Sequence, residues 1–190
     1  MVESEQANLV RLLPNRLRER TRFVGHPQKR PTGEFVRYWL HHAMRAHENP
    51  ALDVAVTVAN EFRLPLLVYQ GVPERYPYAS DRHHTFILEG ARDLEEQFNK
   101  RGIHYALYVE TRQNRGPHLR ELCDRAAVLV TEELPVQPFR TWTDQLAESA
   151  ATPVLCVDTA CIVPMQIVGK AYDRAYQFRK DTRSLYAERI

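Results

Sequence analysis

The sequence predicts an α/β fold: a Rossmann-like, doubly wound sheet of five parallel strands, order 3-2-1-4-5, with helices on both faces. Three observations carry this reading. From residue 33 onward, short apolar runs alternate with helical patterns. The runs are continuously apolar, as strands buried on both faces are. The stretches between them bear capping residues and an apolar stripe each, the mark of helices layered on a sheet. Right-handed crossovers follow from chain chirality, and the strand order reverses beside strand 1, where open sheets of this kind hold ligands.

Residues 1–32 hold a short apolar patch, Leu9-Val10, Leu12-Leu13 and Leu17, broken by Pro14, Gly25, Pro27 and Pro31. This reads as a short helix and then a linker. Strands are expected at 35–40, 65–70, 103–109, 127–131 and 154–158. After the first strand, Asn49 is a fitting N-cap with Pro50 at the first helical position. Leu52, Ala55, Val56, Ala59 and Phe62 then form one helical stripe. Ser80 can cap a second helix, whose Ile87, Ala91, Leu94 and Phe98 recur at helical spacing and should face the sheet, with Gly102 as a left-handed stop. Weaker helices fit 116–125 and 138–149, the latter packing Trp142 and Leu146. A charged helix is expected from Val168 to Ile190, its Tyr172, Tyr176 and Phe178 docking on a neighbouring helix or stacking on bases. Gly33 and Gly71 read as turn glycines.

At 190 residues the chain suits one main domain, able to bury roughly 70% of its unfolded surface. It divides into a basic N-terminal extension, 1–32, an α/β domain, 33–168, and a helical linker, 169–190. The first segment has seven Lys/Arg against three Glu and the last six against three acids, leaving a faintly acidic middle. Basic ends of this kind are either solvated tails or arms that add salt-dependent attraction to phosphates. Cys123, Cys156 and Cys161 form no disulfide framework and no paired ligand motif, so reduced thiols in a cytoplasmic protein are expected. The first residues lack the apolar core of a secretory signal, and no apolar run approaches the ~20 residues of a membrane span, so no membrane partner is expected.

The turn from strand 1 into the first helix is the densest in polar groups: His41, His42, Arg45, His47, Glu48 and Asn49. A connector that merely reversed the chain would need about 2–6 residues. Arg45 can tether this loop to a carboxylate with its fork of donors. Glu132 and Glu133 end strand 4 and Asp158 ends strand 5; they are either ordinary surface and helix-terminal acids or a carboxylate group facing the same crevice as His41 and Arg45. The crevice over Leu40, His41, Arg45, Glu132, Glu133 and Asp158 is therefore the candidate cofactor site. The pairs His41-His42 and His83-His84 lack partners at metal-ligand spacing, so no metal is expected. Neither a G-x-G-x-x-G nor a P-loop is present, and no G-x-S-x-G elbow occurs. No catalytic set is assigned.

Tyr38, Trp39, Arg45, Ala46, Asn49, Ala51 and Leu52 closely resemble the Tyr-Trp to Arg-Ala-x-x-Asn-x-Ala-Leu signature of class II cyclobutane-pyrimidine-dimer photolyases, in the photolyase/cryptochrome family. Val130–Val136 resembles that family's Val-Thr-Asp-Phe-Ser-Pro-Leu, and Val157–Pro164 its Val-Asp-Ala-His-Asn-Val-Val-Pro. Ala175, Phe178 and Arg179 echo its Ala-x-x-Phe-Arg, and the four blocks are correctly spaced. The chain departs from the pattern at Glu132-Glu133-Leu134, at Ala160-Cys161, at Gln137 and at Gln166.

The resemblance implies the N-terminal α/β antenna domain of a light-driven DNA-repair lyase, with residues 169–190 leading toward a helical FAD-binding domain on the same or a separate chain. It implies an antenna chromophore, 8-hydroxy-5-deazaflavin or a folate. It places FAD in the full-length family only, not bound here, and damaged DNA as a partner of the full-length flavoprotein, so no catalysis is expected of this chain alone. Two rivals stand beside it: a stand-alone nucleotide- or pterin-binding relative without photorepair, and a small enzyme using Glu132, Glu133 and Asp158.

Overall fold

The computed structural model describes residues 9–24, 32–76, 79–116 and 118–190. The elements run α1 (Asn15–Arg18), β1 (Thr21–Val24), β2 (Phe35–Trp39), α2 (Pro50–Phe62), β3 (Leu66–Val72), α3 (Asp81–Lys100) and β4 (His104–Val109). They continue with α4 (His118–Arg125), β5 (Ala126–Glu133), α5 (Phe139–Ser149), β6 (Val154–Asp158), α6 (Met165–Val168) and α7 (Ala175–Ala187). The linker punctuation at Gly25, Pro27 and Pro31 lies outside the described residues.

One sheet holds six strands in the order β1-β6-β5-β2-β3-β4. The five expected strands are parallel and keep their expected relative order. The expectation of five strands in all is corrected by β1, which pairs antiparallel with β6 in the register Thr21↔Val157 to Val24↔Val154. This strand escapes sequence reading because it is short and edge-placed, so Thr21-Arg22-Phe23-Val24 needs no continuous apolar run. Gly71 is not in a turn but inside β3.

Helices α2 and α3 start where their capping residues sit. The Asn49 side chain accepts the N–H groups of Ala51 and Leu52 at the start of α2, and the helix ends at Arg63 in the left-handed region, φ 54°. Ser80 accepts the His83 N–H at the start of α3, and Gly102, φ 66°, turns the chain into β4. The expected continuous helix from Val168 is interrupted: α6 stops at Gly169, φ 64°, and α7 starts only at Ala175.

The core lies on both faces. Leu52, Val54, Val58, Leu94 and Phe98, from α2 and α3, pack with Val36, Val68, Val128 and Val130 on one side. Cys123, Leu146 and Ala150 pack with Leu129, Val154 and Cys156 on the other. Val128 and Val130 facing one way and Leu129 the other explains why β5 reads as an unbroken apolar run. Ala91, Leu94 and Phe98 are buried as their spacing predicts, while Ile87 is half-exposed at the end of the stripe. Truncating Leu94 to alanine is expected to lower stability by about 2–5 kcal/mol in urea melts; a loss under about half a kcal/mol would mean the stripe carries no packing. Trp142, expected in the core, is 44% exposed. Tyr176, Phe178 and Tyr186 on α7 are exposed as well.

Candidate functional site

The loop after β2 is built around one carboxylate. Glu132, fully buried near the end of β5, accepts the backbone N–H groups of His41 (3.3 Å), His42 and Ala43 (3.0 Å), and the Tyr38 hydroxyl. Burial first, and then the neighbouring Glu132 charge, push the Tyr38 phenol well above its ordinary range, so it remains a donor. Asn49 completes the knot. Its side-chain oxygen caps α2, while its amide donates to the carbonyls of Ala43 (3.1 Å) and Arg45 (3.0 Å) and to the Tyr38 hydroxyl (2.9 Å).

The six candidate residues therefore have different surroundings. Leu40 is in the core. Arg45 tethers the loop, but through carbonyls rather than a carboxylate: Nε donates to Glu48 (3.0 Å) and the terminal nitrogen to Thr159 (3.3 Å), in the loop after β6. Asp158 closes that second loop by accepting the N–H groups of Ala160 (3.1 Å), Cys161 (2.9 Å) and Met165 (3.0 Å). Glu133 faces the β1 side, where it receives Arg22 Nε (2.6 Å) and Gln166 Nε2 (2.8 Å). Of the six, His41 lines the large crevice over the carboxyl ends of the strands.

That crevice has a volume of about 520 Å³ and opens over the ends of β2, β3 and β4. Its walls are aromatic: Trp39, Tyr69, Tyr76, Tyr108, Phe139 and Trp142. His41 sits between Trp39, with ring centroids 4.5 Å apart, and Phe139, stacked at 5.8 Å. Phe139 in turn meets Trp142 edge to face at 5.4 Å. The His41 side chain is 9% exposed, and neither ring nitrogen has a hydrogen-bond partner among the described residues; Nδ1 stands 3.8 Å from the nearer Glu132 oxygen, too far to bond. Burial lowers the His41 pKa more than Glu132 raises it, so the ring is a neutral imidazole with a donor and an acceptor unspent. On the opposite wall His83 Nδ1 meets the Tyr76 hydroxyl at 3.0 Å.

The aromatic wall is the part that residue-by-residue reading misses. The available signal is that β2, β3 and β4 each carry an aromatic at or beyond the midpoint, Trp39, Tyr69 and Tyr108, which three separately read strands do not bring together. Among the described residues no group of three or more His, Cys, Asp or Glu side chains could hold a metal, and no helix is long and apolar enough to cross a membrane. All three cysteines are free thiols.

The fold alone is shared with solved structures of low identity, such as a functionally unknown protein of Pseudomonas aeruginosa PAO1 (TM-score 0.51, 11% identity, covering 75% of this chain and 53% of that one). Sequence comparison is more specific. The deoxyribodipyrimidine photo-lyase of Methanothermobacter thermautotrophicus is 33% identical over 148 residues, covering 78% of this chain and 33% of the relative. That of Arabidopsis thaliana is 27% identical over 161 residues, 84% of this chain and 32% of the relative. The chain thus spans about a third of the length of the curated relatives it matches. The family model described as DNA photolyase matches residues 36–188, from the second residue of β2 to just beyond α7, and by that match the chain belongs to the DNA photolyase family.

Proposed function

We propose that this chain serves as the antenna-chromophore and scaffold domain of a deoxyribodipyrimidine photo-lyase, and that the chromophore lies in the aromatic crevice. The observation that carries the reading is His41: a buried, neutral imidazole with both ring nitrogens unpartnered, held between Trp39 and Phe139 on the crevice wall. A planar heteroaromatic of the deazaflavin or folate kind fits such a wall, because it offers faces for the rings. When bound, such a group supplies light absorption. The chain supplies the rest: Trp39, Phe139 and Trp142 sandwich and exclude water, and the His41 ring, packed between Trp39 and Phe139, holds that wall in shape. Glu132, Asn49, Arg45, Leu40 and Asp158 hold the two loops that carry this wall rather than touching the ligand, and Glu133 ties the sheet to β1. These roles agree with the class II resemblance around Tyr38 and Trp39.

FAD and the repair chemistry belong, on this reading, to a helical domain that works with this one, and damaged DNA is met by that assembly. The exposed Tyr176, Phe178 and Tyr186 on α7 give such a domain an apolar surface to meet. A cytoplasmic setting suits the three free thiols.

The test uses the 190-residue protein. Titrated with 8-hydroxy-5-deazariboflavin or methenyltetrahydrofolate, it should quench or shift the fluorescence of one of them saturably, and His41→Ala, which removes the ring packed between Trp39 and Phe139, should weaken that binding by about tenfold, the value of one good aromatic contact. Incubated with FAD and dimer-containing oligonucleotide under blue light, the chain alone should neither retain FAD through gel filtration nor repair the lesion, since the reduced flavin carries that chemistry. Failure of both chromophores to bind would overturn the antenna assignment, and repair above the protein-free control would overturn the division of labour.

A further inference from the structure

β2 contains a residue that its position does not explain. Arg37 lies in the interior of the sheet, between β3 and β5, and is fully buried. Fully buried arginines are normally paired with a carboxylate. This one donates from one terminal nitrogen to the Leu119 carbonyl (2.7 Å), with Cys123 Sγ at 3.7 Å, and its guanidinium carbon stands 4.4 Å from the centroid of the Tyr69 ring. Its Nε and second terminal nitrogen have no partner among the described residues. Nothing nearby neutralises it: burial pushes the Cys123 thiol and the Tyr69 phenol up, so both stay protonated. A full positive charge is left in a low-dielectric interior.

Two of the groups that touch Arg37, Tyr69 and Leu119, line the aromatic crevice, so the charge stands one side chain behind the crevice wall. The other ionisable groups there do not cancel it. Glu110 is engaged by Arg115 (3.9 Å) and by the Glu74 N–H (3.2 Å), whereas Arg75 at the mouth has no ion-pair partner among the described residues. His41 is neutral, and the Glu132 charge behind it is held by three N–H groups and the Tyr38 hydroxyl. His83 is taken up by Tyr76.

We propose that Arg37, acting through the Tyr69 and Leu119 wall, makes the crevice select a planar aromatic ligand in its anionic form, with the anionic edge turned toward Tyr69 and away from Glu132. This rests on the crevice being the chromophore site. Arg37 is a specificity-determining residue that does not itself touch the ligand; a positive charge at this range favours an anion without bonding to it, and the dry interior keeps the field unscreened.

The experiment uses the whole chain and two probes with the same ring system: 8-hydroxy-5-deazariboflavin, whose phenol ionises, and its 8-O-methyl ether, which cannot. Affinities are read by fluorescence, and ionisation of the bound phenol by absorbance across pH. The unaltered chain should bind the phenolate about tenfold more tightly than the ether and depress the phenol pKa by about one unit relative to free probe. Arg37→Met should markedly reduce both effects, leaving only what Arg75 at the mouth supplies, while binding the ether as before, since the apolar replacement removes a buried unpaired charge and should leave the fold intact, as circular dichroism would show. Selectivity retained in Arg37→Met would overturn the proposal. So would a phenol pKa unchanged or raised on the unaltered chain, a result that does not depend on any variant folding. Failure of both probes to bind would overturn the crevice reading itself, and the Arg37 proposal with it.

Discussion

Replacing Glu132 with alanine is expected to cost about 3–5 kcal/mol, a large share of the stability of a domain this size. The reason is the number of groups left behind. Three consecutive backbone N–H groups, of His41, His42 and Ala43, and the Tyr38 hydroxyl all point at this one side chain. Each buried donor stranded without an acceptor costs about 1–3 kcal/mol, and only water entering the gap would soften the sum. Glutamine is the informative comparison. It keeps the shape but turns one acceptor oxygen into an NH2 group aimed at other donors, so Glu132→Gln should fall between alanine and the unaltered chain. Urea melts of the three proteins give the order directly. A loss below about 1 kcal/mol for alanine would mean the loop draws its stability from elsewhere, with Asn49 the first alternative.

Gly33→Ala is expected to lose more than about 3 kcal/mol, or to leave too little folded protein to melt, beyond the usual range for overpacking a core. A Cβ at this position would lie 2.3 Å from the Ala127 nitrogen, 2.4 Å from the Ala126 carbonyl carbon and 2.6 Å from the Arg125 oxygen. All three are main-chain atoms at the junction of α4 and β5, where the neighbouring Glu34 N–H bonds the Arg125 carbonyl at 3.0 Å. Main chain in a paired sheet cannot step aside as a side chain can. Trimming Ala127 to glycine should therefore give no rescue. A substitution that melted within half a kcal/mol of the unaltered protein would show that the entry to β2 can shift bodily.

Gly33 also shows what the sequence leaves unsaid. A lone glycine before a strand reads as a turn residue, and the close passage of β5 that requires it comes from a segment some ninety positions later. The five parallel strands are legible because burial on both faces writes itself into each run, as Val128, Leu129 and Val130 do. The helices are legible because caps are local: Asn49 and Ser80 act within three residues of where they stand. Edge strand β1 is not, since one pairing partner and modest burial demand little of Thr21–Val24. The polar loop after β2 is conspicuous, yet its charges mostly serve the loop itself. Glu132 and Asp158 look like ligand-facing acids at strand ends and are consumed by neighbouring N–H groups. The crevice wall is assembled from rings on different elements, a coincidence in space that no single window contains.

The antiparallel pairing of β1 with β6 has a consequence in time. Thr21 leaves the ribosome long before its partner Val157 is made. At 5–20 residues per second, the N-terminal strand waits on the order of ten seconds for the edge it joins. Central strand β2 waits roughly two-thirds as long for β5, its neighbour on one side. Until then one edge of β2, with Val36 and Tyr38, lacks its neighbouring strand. Contacts so distant along the chain make for slow folding, and a growing chain in this condition is a natural client for a chaperone. The last event in building the sheet is then the docking of its first strand.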